Sequence, residues 1–299
     1  MLALTILGNN SAIPAFNRHP TAQVLQNYEQ SFLIDCGEGT QLQMEKYRIR
    51  NSKINHIFIS HLHGDHYFGL IGLLTSMALL GRKHDLHLYA SPKLKTIIDL
   101  QLAVASAQLS YSLIFHPLEK EGIILDEKKI RVSCFSVTHR IECWGFLFTE
   151  KKNSKKILPE EVKKYNIPTS FYESLHQGLD YVSDTQTILN SLLTIPSTPP
   201  KSYAYCADTL FDEALPEKIL NVDLIYHETT YLHALQKRAA ARFHSTSKEA
   251  ATIAKNCGAK RLLIGHFSSM YESLSEFIVE ATEIFKDTEL ALEGMCYLI

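Results

Sequence analysis

The chain has 299 residues, 45% hydrophobic and 21% charged, a balance that excludes a disordered or membrane-spanning class. A formal net charge of −2 excludes the global basicity common in nucleic-acid binders, so any polyanion would be held by local patches and metal ions. Six cysteines (Cys36, Cys134, Cys143, Cys206, Cys257, Cys296) lie scattered without a Cys-x-x-Cys pair, which points to reduced thiols and a cytoplasmic protein. No apolar run is long enough for a bilayer, and the opening Met1-Leu2-Ala3-Leu4-Thr5-Ile6 lacks a basic leader, so neither membrane nor signal peptide is expected.

Residues 2–7 are predicted as a first strand, followed by a turn-rich loop over 8–14 that leads to Arg18. Residues 22–25 and 31–34 form a hairpin around Asn27-Tyr28-Glu29. Asp35-Cys36-Gly37-Glu38-Gly39-Thr40-Gln41 reads as a turn, with Asp35 capping a helix that starts near Thr40. Residues 54–59 are short, apolar and rich in β-branched side chains, which predicts a buried strand; 68–80, apolar almost throughout, predict a buried helix. Between them lies Ser60-His61-Leu62-His63-Gly64-Asp65-His66. This loop follows the carboxyl end of a strand, where sheet proteins place ligands. His61 and His63 point the same way if the segment is extended, and Asp65 and His66 face a second point as the chain turns into the helix. One loop can then supply two metals. No cysteine lies near, which argues against a closed structural zinc site.

Residues 86–90 form a strand, and Ser91-Pro92 places Ser at the N-cap and Pro at the first turn of the next helix. His84, His87 and His116 fall outside the metal pattern and read as surface or structural. Residues 130–137 alternate as a strand running to Thr138-His139-Arg140, and 143–148 continue as a strand. Residues 151–200 differ in character: they open with Lys151, Lys152, Lys155 and Lys156, add Lys163 and Lys164, and end in Pro196-Ser197-Thr198-Pro199-Pro200. By pattern alone this is a solvated charged loop or a set of phosphate contacts. Residues 202–209 form a strand that reaches Asp208, with Cys206 in the core. His227-Glu228-Thr229-Thr230 closes another strand, and His244-Ser245-Thr246 precedes a helix over 247–255. Residues 261–265 form a strand ending at His266, 276–285 an amphipathic helix, and 290–299 a closing strand. The elements alternate in two halves that meet near residue 130.

His-x-His-x-Asp-His after a strand resembles the metallo-β-lactamase superfamily. The 35–41 run, His227-Glu228-Thr229-Thr230, His244-Ser245-Thr246 and the 151–200 segment narrow the resemblance to the ribonuclease Z branch, the tRNA 3′-end processing endonucleases. That resemblance implies an α/β fold, a four-layer αββα sandwich of the metallo-β-lactamase type, as one domain over 1–299. Residues 151–200 would be an inserted arm gripping tRNA through Lys151, Lys152, Lys155 and Lys156. It implies two zinc ions per subunit, with manganese or iron the alternatives: His61, His63 and His139 on one, Asp65, His66 and His266 on the other, and Asp208 bridging. Asp35 and His227 would support the ligands from behind, Asp65 would accept a proton, and His244, held by Glu228, would sit over the reacting phosphate. Arg18 would contact the substrate.

The implied reaction cuts the 3′ trailer from precursor tRNA, leaving a 3′ hydroxyl on the tRNA and a 5′ phosphate on the trailer, in a cytoplasmic homodimer. The chain departs from the family pattern at His19, at Thr229, at Met270 where an arginine is usual, and in an arm without its Gly-Pro pair. Those departures keep two alternatives in view: a phosphodiesterase of the same fold acting on small phosphodiesters, or a non-catalytic nucleic-acid-binding relative. The complete ligand set argues against the second.

Overall fold

Strands with alternating apolar side chains build two seven-stranded sheets in the computed structural model, which describes residues 2–28, 30–151, 155–184, 186–196 and 199–299. The chain divides into two compact units: residues 1–126, 131–149 and 201–299 form one, and 127–130 with 150–200 the other.

In the larger unit the first sheet runs, edge to edge, Cys296–Leu298, Leu2–Gly8, Ala22–Asn27, Gln30–Ile34, Ile54–Phe58, Leu86–Ala90 and Leu113–Pro117. The second runs Thr288–Leu290, Arg261–Gly265, Leu224–Glu228, Ser202–Cys206, Trp144–Glu150, Ile130–Ser136 and Gly122–Asp126. Side-chain alternation decides which face each residue serves. Tyr203 and Tyr205 face the other sheet, where Phe32 and Phe58 meet Phe148 with ring centroids 5.9 and 5.3 Å apart. Ala204 and Cys206 face outward and pack with Ala250, Ile253 and Phe277 from the helices Ser247–Asn256 and Ser275–Thr282. On the far side, Ile57, Ile59 and Leu88 pack under Met44, Leu73, Leu74 and Leu94 from the helices Thr40–Lys46, Leu70–Leu79 and Pro92–Val104. Helix, sheet, sheet, helix is the four-layer sandwich that the resemblance implies.

Several elements differ from the sequence expectation. The helix expected over 68–80 is two, Gly64–Tyr67 and Leu70–Leu79. The break falls at Gly69, whose N–H donates to the Cys36 carbonyl at 2.9 Å, and where a Cβ would lie 2.2 Å from the Gly37 oxygen. The closing strand over 290–299 is also two, because Thr288–Leu290 pairs with the second sheet and Cys296–Leu298 with the first. Gly294, at φ 80°, turns the chain between them. Ser91 stands at the N-cap position, yet its hydroxyl donates to Glu142 at 2.7 Å and leaves the helix uncapped by its side chain. Asp35 does not cap the helix at Thr40; Gly39 occupies that position. The edge strands Leu113–Pro117 and Gly122–Asp126 escaped prediction because both are half-exposed and show no clean alternation.

The smaller unit has its own core of Val162, Ile167, Leu175, Ile188 and Leu193, two short strand pairs, and the helices Pro159–Lys164 and Tyr172–Gln177. Buried Asn190 staples it, donating to the carbonyls of Leu175 and Leu179 at 3.0 Å each and accepting from Lys155 Nζ at 2.7 Å. Among the described residues no helix is long and apolar enough to cross a membrane.

Candidate active site

Every candidate ligand follows the carboxyl end of a strand. Asp35 follows Gln30–Ile34, the His61 to His66 loop follows Ile54–Phe58, and His139 lies beyond Ile130–Ser136. Asp208 and His266 close Ser202–Cys206 and Arg261–Gly265, and Glu228 ends its own strand. Backbone hydrogen bonds knit these ends together: Cys36 N–H to His66 O at 2.8 Å, Trp144 N–H to Ser60 O at 3.0 Å, and Leu210 N–H to Thr138 O at 2.8 Å. Asp35 and His266 sit at φ 56° and 59°, a left-handed conformation that costs a non-glycine residue on the order of 1 kcal/mol. The surrounding bonds hold both side chains inward regardless.

Two donor groups converge, each with its atoms within 4.8 Å of one another: His61, His63, His139 and Asp208, and Asp65, His66 and His266. In the first, His63 Nδ1 lies 3.0 Å from His61 Nε2 and 3.2 Å from His139 Nε2. Asp208 Oδ2 is 3.6 Å from His61 Nε2. In the second, Asp65 Oδ2 is 3.6 Å from His66 Nε2 and 3.4 Å from His266 Nε2. Asp208 Oδ1 faces this group, 3.4 and 3.1 Å from the same two nitrogens. One carboxylate thus addresses both groups, one oxygen each.

Among the described residues, buried His66 Nε2 and Asp208 Oδ1 have no hydrogen-bond partner, a costly state that a cation between them relieves. Imidazole nitrogens crowded at this spacing beside carboxylates suit divalent transition metals. The residues therefore fit a metal site.

The outer nitrogens of four rings are anchored. His66 Nδ1 donates to Asp35 Oδ2 at 2.7 Å, His139 Nδ1 to the Phe243 carbonyl at 2.9 Å, His266 Nδ1 to Thr230 Oγ1 at 2.9 Å, and His61 Nδ1 pairs with Ser60 Oγ at 3.0 Å. Such partners fix the ring and leave Nε2 for a ligand role. Asp35 is itself held by Tyr205 O–H at 2.6 Å, Ser60 N–H at 2.7 Å and Ser60 O–H at 2.8 Å.

His244 borders the metal ligands. Its Nδ1 is 2.9 Å from Glu228 Oε1, and a third group, Asp208 with His244 and His266, also has metal-ligand spacing. Glu228 is buried and saturated, accepting from the N–H groups of Thr209, Thr230 and Ser245 and from Thr230 O–H. Burial works against charge on His244, but the Glu228 carboxylate overcomes it and raises the imidazole pKa to about 9. Burial also works against charge on His66, and Asp208, Asp65 and Asp35 together lift it well above the usual histidine range. His63 goes the other way: burial, then the neighbouring His139, lower it to about 4. Burial pushes the Asp65 carboxyl up, yet His66 and His266 win and leave it well below the usual range.

The remaining predicted residues stand apart from this cluster. His227 points to the helix side with Ile225 and donates to the Glu228 carbonyl at 2.8 Å, and among the described residues its Nε2 has no hydrogen-bond partner. Arg18 ties its loop to the 271–272 segment, donating to Asn10 Oδ1 at 2.9 Å and to the carbonyls of Tyr271 at 2.5 Å and Glu272 at 3.0 Å. In the smaller unit Lys155 is tied to Asn190, Lys156 is exposed on a short strand, and Lys151 N–H donates to the Lys129 carbonyl at 2.9 Å. Lys152 lies outside the described residues. His87 and His116 stack at 5.2 Å, next to His56 at 4.9 Å from His87, instead of joining the cluster.

Sequence reasoning passed over Tyr205, Thr230, Ser60, Arg140 and Arg242. Only Tyr205 had a signal, its alternation with Tyr203 toward the inter-sheet side. The cluster opens into a cleft of about 510 Å³ lined by His63, Asp65, Asp208, His244, Arg140 and Arg242, among others.

A family model described as Anti-Pycsar protein Apyc1 matches residues 2–158. Ribonuclease Z of Bacteroides thetaiotaomicron is 42% identical over 299 residues, covering 99% of this chain and 95% of the relative. Ribonuclease Z of Cytophaga hutchinsonii is 43% identical over 304 residues, covering 99% and 96%. Among solved structures, human tRNase Z, short form, superposes with a TM-score of 0.74 at 25% identity over 99% of both chains. The metallo-β-lactamase fold protein YhfI from Bacillus subtilis reaches 0.70 at 18% identity over the full length of both, which speaks for the fold. The two relatives exceed 40% identity and span this chain almost end to end, so this chain belongs to the ribonuclease Z family.

Proposed function

We propose that this protein is a metal-dependent endoribonuclease that removes the 3′ trailer from precursor tRNA. The observation that carries the reading is His244, fixed by Glu228 at 2.9 Å and facing the same cleft as Asp65 and Asp208, in a chain related over its whole length to ribonuclease Z. Two zinc ions are the proposed cofactors, with His61, His63 and His139 on one, Asp65, His66 and His266 on the other, and Asp208 shared. Bound there, the ions would offset charge on the phosphate oxygens and make a water acidic near neutral pH.

The chain's own residues supply the rest. Asp65, whose Oδ2 also accepts the Ala12 N–H at 2.7 Å, is oriented to take the proton of the attacking water. As the water oxygen bonds to phosphorus, the bond to the 3′ oxygen breaks. His244, kept protonated by Glu228, gives that oxygen its proton. The tRNA then ends in a hydroxyl and the trailer begins with a phosphate. Asp35 aligns His66, and Thr230 aligns His266 and braces Glu228. We further propose a cytoplasmic homodimer, with residues 151–200 as a tRNA-gripping arm through Lys151, Lys152 and Lys156. Lys155 serves the arm's own structure.

Cleavage of a 3′-extended precursor tRNA by purified protein, with bound metal quantified on the same sample, tests the proposal. One cut near the discriminator base, lost on chelation and restored by zinc, is expected. Intact RNA with metals bound would move the assignment to a small-phosphodiester hydrolase.

A further inference from the structure

Two arginines line the active-site cleft without a role in the chemistry above. Arg140 directly follows His139, and Arg242 ends the helix Gln236–Arg242, two residues before His244. Phe243, at φ 59°, terminates that helix in a left-handed turn, so the chain presents Arg242 and His244 to the same cleft. The bond from His139 Nδ1 to the Phe243 carbonyl, 2.9 Å, ties the two arginine-bearing loops together. Both arginines are exposed, and among the described residues neither guanidinium is paired with a carboxylate.

We propose that Arg140 and Arg242 form a clamp that grips the RNA backbone phosphates beside the scissile bond, a positioning pair that rests on the reading of the substrate as RNA. The donor arrangement at His63 carries the inference. His63 turns Nδ1 toward His61 and His139. With that nitrogen given to a cation, Nε2 carries the ring hydrogen. Arg140 Nη2 lies 3.4 Å from this Nε2. Both groups are then donors, and neither satisfies the other. Two donors aimed at one space need a shared acceptor, and a phosphate oxygen suits a guanidinium fork. Arg242 offers a second fork on the same cleft.

A strand with consecutive phosphates engages both forks while its scissile phosphate sits at the centre. A small diester, with one phosphate, does not. A chain of formal charge −2 needs such local cations to hold RNA.

The test compares Arg140→Ala, Arg242→Ala, the double variant and both Arg→Lys variants on precursor tRNA and on bis(p-nitrophenyl) phosphate, with zinc content measured in each. Each alanine variant is expected to raise KM for RNA roughly tenfold, change kcat less, and flatten the log KM against log salt slope by about one. Lysine is expected to restore the salt slope more fully than KM, because it keeps the charge and loses the fork. RNA-over-diester selectivity should fall about a hundredfold in the double variant if the two contacts add. Wild-type KM and salt slope in the alanine variants, with RNA still cut, would overturn the clamp alone. Equal losses on both substrates, or lost zinc, would also overturn it, since the arginines would then be shaping the centre. A wild-type protein that hydrolyses the diester and spares RNA would take down the RNA reading and the clamp with it.

Discussion

Tyr205 shows how much a single hydroxyl can carry here. It is buried, its oxygen lies 2.6 Å from Asp35 Oδ2, and Asp35 in turn orients His66. Tyr205→Phe keeps the ring and deletes that bond, so unfolding free energy should drop by about 1 kcal/mol. Zinc affinity on the His66 side should fall roughly tenfold, read by competition with a chromophoric chelator. Unaltered affinity would reduce Tyr205 to packing. His244 poses a sharper choice, because its neighbours Asp208 and His266 also have ligand spacing. His244→Ala should cut kcat by about 10²–10⁴ while zinc content stays constant; lost zinc would make it a ligand. Its pKa is raised to about 9 because Glu228 outweighs burial, so the acid form persists through neutral pH and is lost as pH climbs past that value. Glu228→Gln removes the carboxylate charge, and the alkaline limb of the kcat profile should shift to lower pH.

At the scale of elements, the helix Ser247–Asn256 anchors the His244 loop through a capping box. Thr246 O–H and Glu249 reciprocate across the first turn, with Thr246 N–H donating to Glu249 Oε2 at 2.9 Å. Thr246→Ala should cost about 1 kcal/mol in denaturant unfolding, with little change in the slope. A loss under a few tenths would mean that packing alone holds the helix. The central strands and the His61 to His66 loop were legible because buried parallel strands are continuous apolar runs and a dense ligand motif leaves few other readings. The break at Gly69 was not, since its N–H is claimed by the carbonyl of Cys36, distant in sequence. Ser91 carries a cap signature, yet Glu142 claims its hydroxyl. Thr230 and Tyr205 escaped notice for the same reason. Their roles arise from partners far along the chain: alternation puts Tyr205 on the inter-sheet side without naming Asp35 as its partner, and nothing local ties Thr230 to His266.

For the molecule as a whole, the cluster of carboxylates and imidazoles couples metal, protons and stability. In the metal-free state burial opposes charge on His66, but Asp208, Asp65 and Asp35 raise its pKa well above the usual value. A group whose folded pKa is raised stabilises the fold fully below its unfolded pKa, about 6.5, and less as pH rises toward the folded value. The apo protein therefore loses this contribution progressively as pH rises above about 6.5. A metal that takes His66 must displace that proton, so its affinity rises over the same window. Zinc at a thousand times its dissociation constant adds about 4 kcal/mol to unfolding. The difference in Tm between zinc-loaded and chelated protein should consequently widen from pH 6 to pH 8, and calorimetric titration in buffers of different ionisation enthalpy should detect proton release on zinc binding. A gap that stays constant or narrows, with no proton released, would mean that His66 is already neutral in the apo protein and that Asp208 and Asp65 do not hold its proton.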